Sequence, residues 1–137
     1  MDAAELSDLS DLAELAERAA ALLHRRHGAQ LRSGERIRVN LRPRERPPRV
    51  ELALEDPAAD TRVELSVQLL DLEGRAALEL GLDFLDGVLA EHLASGREAM
   101  PRLEPAPADF AGHRLALCGR LRRPALEAAA DALLEES

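Results

Sequence analysis

Aromatic side chains are almost missing from this sequence, which has no Trp, no Tyr and two Phe, Phe84 and Phe110. Base-stacking platforms and the aromatic anchors of many interfaces need such rings, so recognition by stacking is excluded as a main mode. Lysine is missing too: all 18 basic residues are Arg. GC-rich coding produces that pattern, so an arginine at any one position carries little weight by itself. There is one cysteine, Cys118. A lone thiol closes no internal disulfide, and an oxidising compartment is not implied. No apolar run approaches the ~20 residues needed to span a bilayer. Residues 1–20 have neither a basic start nor a continuous apolar stretch, so no signal peptide and a cytoplasmic location are expected. The serines fall in no nucleophile-elbow pattern, and the eight Gly form neither a dinucleotide fingerprint nor a phosphate loop. No catalytic residue and no cofactor are therefore assigned.

What is present is a chain of 137 residues, 46% of them hydrophobic, which fits one domain over 1–137 with a core of Leu, Val and Ala. The net charge is −8, unevenly spread. Residues 32–49 carry Arg32, Arg36, Arg38, Arg42, Arg44, Arg46 and Arg49 against Glu35 and Glu45, whereas the segments on either side are acidic. One basic hairpin on an acidic body is the main electrostatic feature.

Leu6, Leu9, Leu12, Leu15, Ala16, Ala19, Leu22 and Leu23 recur at three- and four-residue steps, which predicts an amphipathic helix. Ser7 or Ser10 is expected to cap its start; His24 to His27 sit in its last turn and Gly28 stops it. Three period-two segments follow, built on Ile37, Val39 and Leu41, on Val50, Leu52 and Leu54, and on Val63, Leu65, Val67 and Leu69. Their connections, Pro43–Pro48 and Asp56–Asp60, are short, so an antiparallel meander with one wet face is expected. The helical period returns over 71–94, with an apolar arc of about 180° where a one-sided helix needs ~100°. Gly81 falls inside that arc, where a missing side chain allows close approach of another element. An arc so broad predicts contact with both the chain's own sheet and a partner. The Pro-interrupted stretch 97–111 reads as a loop and a poor edge strand near Leu103–Phe110. A better strand on Leu115, Leu117 and Leu121 follows, then a helix opened by Pro124 that presents Leu126, Ala129, Ala130, Leu133 and Leu134. The expected fold is an α+β two-layer sandwich: an antiparallel sheet of about five strands with three helices, in the order α-β-β-β-α-β-β-α.

Each candidate site has a plain structural explanation. His24 and His27 have a metal-compatible i,i+3 spacing but no evident third ligand, and both suit a helix C-terminus, so no metal site is assigned. His113 and Cys118 are an odd number of residues apart on one strand, which puts them on opposite faces and rules out a dyad within it. Glu79, Asp83 and Asp86 make an acidic stripe, read as the wet face of their helix. His92 lies within the apolar arc, where burial disfavours the charged form. Arg36, Arg38 and Arg42 are expected on one strand face, with Arg44 and Arg46 in the following turn. A ribbon of this kind can enter a major groove, but the acidic remainder repels phosphate, and pairing with Glu51, Glu55 and Glu64 accounts for the arginines equally well.

Element order, small size, acidic balance and the Leu-rich last helix (Leu126, Leu133, Leu134) together resemble the small chaperones of type III secretion and related stand-alone domains of that fold. The resemblance implies a homodimer that binds an extended client segment on apolar surface, with Leu78, Leu82, Leu85 and Leu89 as dimer-facing positions. On that basis Leu85→Glu is expected to break the dimer. The leading expectation is a non-enzymatic protein-binding module, a chaperone or adaptor. Nucleic-acid binding through the arginine hairpin stands second, and a small enzyme or ligand binder near His92 or His113 third.

Overall fold

The computed structural model describes residues 3–97 and 106–136. Helix α1 spans Ala3–His27 and passes through a single 3-10 turn, Gly28–Gln30, into strands β1 (Arg36–Arg42), β2 (Arg49–Asp56) and β3 (Thr61–Leu69). Helix α2 (Gly74–Ala94), strands β4 (Ala106–Phe110) and β5 (His113–Arg122), and helix α3 (Pro124–Glu136) complete the chain. The order α-β-β-β-α-β-β-α is the expected one. Ser7 and Ser10 lie within α1, not ahead of it, so the expected cap at either serine is corrected. The part of the expected edge strand before Ala106 falls outside the described residues.

The five strands form one open antiparallel sheet in the order β1-β2-β3-β5-β4. The first three make the predicted meander. Beyond it β5 pairs with β3 and β4 is left at the edge. The reason is visible in β4 itself: Pro107, paired with Ala116, has no N–H for a second neighbour and is confined to an edge strand.

Alternation decides which side of the sheet is dry. Ile37 and Leu41, Val50, Leu52 and Leu54, Val63, Leu65, Val67 and Leu69, and Leu115 are all buried on the helical side of the sheet. Burial of each such side chain stabilises the fold by roughly 1.5–3 kcal/mol. Helix α1 lies over β1, and α2 lies over β2 and β3. Gly81 lets α2 settle closely: a Cβ there would stand 2.7 Å from Val50 Cγ2 and 3.3 Å from Leu69 Cδ2. The expected close approach at this glycine is therefore onto β2 and β3.

Polar side chains lock the two long helices in place. His24 Nε2 accepts the main-chain N–H of Ile37 (3.0 Å), fastening α1 to β1. His27 meets Asp86 of α2 at 2.6 Å, and Arg26 binds the other oxygen of the same carboxylate. The largest device is the buried Glu35 carboxylate, which receives both terminal nitrogens of Arg97 at 2.6 Å. The Glu35 side chain is 1% exposed and that of Arg97 16%. The main-chain N–H of Arg32 also donates to Glu35, and Arg97 reaches the Gln30 carbonyl at 3.1 Å. This cluster joins the end of α2 to the turn before β1.

Candidate functional site

The sheet has one face that no described helix covers. Cross-strand register places Arg36, Arg38 and Arg42 of β1 on it, beside Arg49 of β2, Arg62 of β3, and Arg114, Arg120 and Arg122 of β5. The acids among them are Glu51, Glu55, Glu64 and Asp109. The face is therefore net positive on a chain of net charge −8. At its centre the side chains shrink to Ala53, Ser66 and Cys118, and the surrounding arginines rim a shallow basin of about 580 Å³.

The expected sharing of one face by Arg36, Arg38 and Arg42 is correct, and so is the cross-strand pairing. Arg38 Nε lies 3.3 Å from Glu55, Arg42 binds Glu51, and Arg120 binds Glu64 at 2.7 Å. Arg62 and Arg122 also approach Glu64, at 3.6 and 3.7 Å, so one carboxylate stands among three guanidinium groups. Hydrogen bonding and charge from Glu51 raise the affinity of Arg42 for its proton. Arg44 and Arg46 are exposed in the β1–β2 turn, off the basin.

His92 and His113 lie in different parts of the fold. His92 is 3% exposed within the α2 layer, and its carbonyl accepts Ser95 Oγ and Arg97 N–H, each at 2.9 Å, closing the end of α2. His113 Nδ1 lies 3.0 Å from Asp71 Oδ1, while Asp71 Oδ2 accepts the Arg114 N–H, also at 3.0 Å. That backbone donor, helped by His113, holds the Asp71 carboxyl below its ordinary range. Cys118 is paired with Ser66 on the open face and His113 with Phe110 at the far end of β5, so the two are not brought together. Among the described residues no group of three or more His, Cys, Asp and Glu is placed to hold a metal ion. Asp86 departs from the wet-stripe reading by turning to α1, whereas Glu79 pairs with Arg75 on the surface and Asp83 is exposed. No described helix is long and apolar enough to cross a membrane.

The dimer-facing positions inferred for α2 need correction. Leu78, Leu85 and Leu89 are 3%, 0% and 1% exposed, buried against the chain's own sheet. Leu82 is half-buried and lines the groove between α1 and α2 with Leu15, Ala19 and Leu22. Packing onto β2 and β3 uses up the centre of the apolar arc. The flank left over is Leu80, Phe84 and Val88, all half-buried. Phe84 touches Phe110 of β4, with ring centroids 5.5 Å apart, so this flank looks toward β4 and β5.

The strongest apolar exposure is on α3. Leu126, Leu133 and Leu134 are 62%, 69% and 73% exposed. Two anchors hold the helix in that position. Asp60, in the β2–β3 turn, accepts the N–H groups of Ala125 (2.7 Å) and Leu126 (3.1 Å), and Arg122 binds Glu127 at 2.7 Å. The Arg122 hydrogen bond lowers the pKa of Glu127 from its ordinary value. Comparison of the chain with protein-family models, with curated proteins and with solved structures finds no match in any of the three.

Proposed function

We propose that this chain is a non-enzymatic protein-binding module, acting as a chaperone or adaptor and binding through the apolar stripe of α3. The observation that carries the reading is the exposure of Leu126 and Leu133 on a helix anchored by two polar contacts at its start. Large exposed apolar patches on soluble domains mark interaction sites. The likeness in element order to type III secretion chaperones supports the same class of function. The test is affinity capture with the wild type and with Leu126→Glu/Leu133→Glu, each with and without nuclease. A stoichiometric protein held by the wild type, resistant to nuclease and lost from the variant, is the expected result. Equal capture by both overturns the reading.

A second reading, nucleic-acid binding, is favoured by the gathering of Arg36, Arg38 and Arg42 with arginines from three other strands on the open face. The glutamates interleaved there and the acidic remainder weigh against it. Binding by this face falls steeply as salt rises. Binding that is absent, or indifferent to salt, removes this reading.

A further inference from the structure

We infer that α3 of one chain completes the helical layer of a second copy by lying over that copy's β5 and β4. The inference rests on the protein-binding reading above and names the partner as the chain itself. Among the described residues the helical layer is incomplete: α1 lies over β1 and α2 over β2 and β3, but no helix lies in the same way over β5 and β4. The floor of this vacancy is apolar. Leu121 is 44% exposed there, Leu117 and Ala108 are half-buried, and Leu115, between Ala108 and β3, is buried. Its wall is the Phe84 flank of α2.

Helix α3 has the form of the missing element. Its 13 residues rise ~20 Å, which fits along β5. Leu126, Ala129, Ala130 and Leu133 make one apolar stripe, while Asp131 and Glu135 lie on the opposite side, where they remain in water when the stripe is covered.

A chain's own α3 is kept from its own vacancy. One residue, Arg123, separates β5 from α3, whereas a strand-to-helix return takes two to six residues. Asp60 and Arg122 hold the start of the helix, and Leu126, Leu133 and Leu134 remain exposed on it. Each chain thus carries an exposed apolar helix and a partly exposed apolar berth that its own helix does not fill. Two copies related by a twofold axis satisfy both at once, in a closed isologous pair.

The test uses the full chain. In light scattering the wild type is expected at about twice its 14.9 kDa mass. The helix variant Leu126→Glu/Leu133→Glu and the berth variant Leu121→Glu are each expected as monomers with an unchanged circular dichroism spectrum. Mixing the two variants is expected to restore a dimer, because one intact helix still meets one intact berth. A monomeric wild type, a dimer that survives both variants, or a mixture that stays monomeric overturns the inference. As a check independent of the glutamates, Leu133→Cys and Leu121→Cys chains, each also carrying Cys118→Ser, are mixed and oxidised. An inter-chain disulfide is expected, and its absence counts against the arrangement. Partner capture that depends on α3 in a monomeric protein sinks this inference while leaving the broader reading standing.

Discussion

Glu35 and Arg97 face each other across the end of the helical layer as a two-pronged ion pair, both distances 2.6 Å, with the carboxylate withdrawn from solvent. Removing one member leaves the other charge buried and unanswered. Glu35→Ala is expected to cost about 3–5 kcal/mol, and Arg97→Ala a comparable amount. The double replacement Glu35→Leu/Arg97→Met is expected to cost less than the sum of the two, and chemical denaturation of all the variants measures the coupling. Strict additivity would mean that the pair is not a unit.

Gly81 meets β2 through its missing side chain. In an ordinary helix Gly→Ala is stabilising by about 1 kcal/mol. Here the added methyl would stand 2.7 Å from Val50 Cγ2, and such overpacking costs roughly 1–3 kcal/mol. Gly81→Ala is therefore expected to lower the melting temperature, and Val50→Ala in the same chain to relieve the crowding. Gly87, with open space around it, is the control at which alanine is expected to stabilise.

Leu85→Glu, first read as a dimer-breaking change, is expected to unfold the domain instead. Its side chain is fully buried, and an isolated carboxylate in that position has no partner. Loss of the far-ultraviolet helical signal is the expected outcome. A folded monomer would return α2 to the role of dimer face.

The anchor of α3 responds to acid. Arg122 lowers the pKa of Glu127 from about 4.5. A carboxyl with a depressed folded value contributes stability above its unfolded pKa and loses that contribution as pH falls through the folded one. The contact is therefore intact at neutral pH and fails below the ordinary glutamate range. In Arg122→Gln the Glu127 titration, followed by carboxyl carbon resonances, is expected to move up toward its ordinary value. An unmoved titration would show that the anchor is absent in solution.

Element types and order were legible in the sequence because period-two and helical spacings are separated by Pro, Gly and Asp. The edge place of β4 could be read from its proline, Pro107. The apolar arc of α2 marked Leu78, Leu85 and Leu89 as buried in something, but a helical wheel does not say which part of a broad arc meets the chain's own sheet. The ion pair of Glu35 and Arg97 left no trace, since the two are 62 residues apart and both resemble ordinary loop charges. The exposure of α3 was equally hidden. Its stripe is the one expected of a packed helix, and only the structure shows Leu126 and Leu133 left exposed.

The two edges of the sheet bear on how large an assembly of this chain becomes. Strand β4 presents Pro107, which cannot donate to an added strand, and β1 lines its edge with Arg36, Arg38 and Arg42, which repel a second copy of themselves. Growth by strand addition is discouraged at both ends. In the pairing inferred above, the two helices saturate each other, so that arrangement gives a bounded particle and leaves no open end for a fibre.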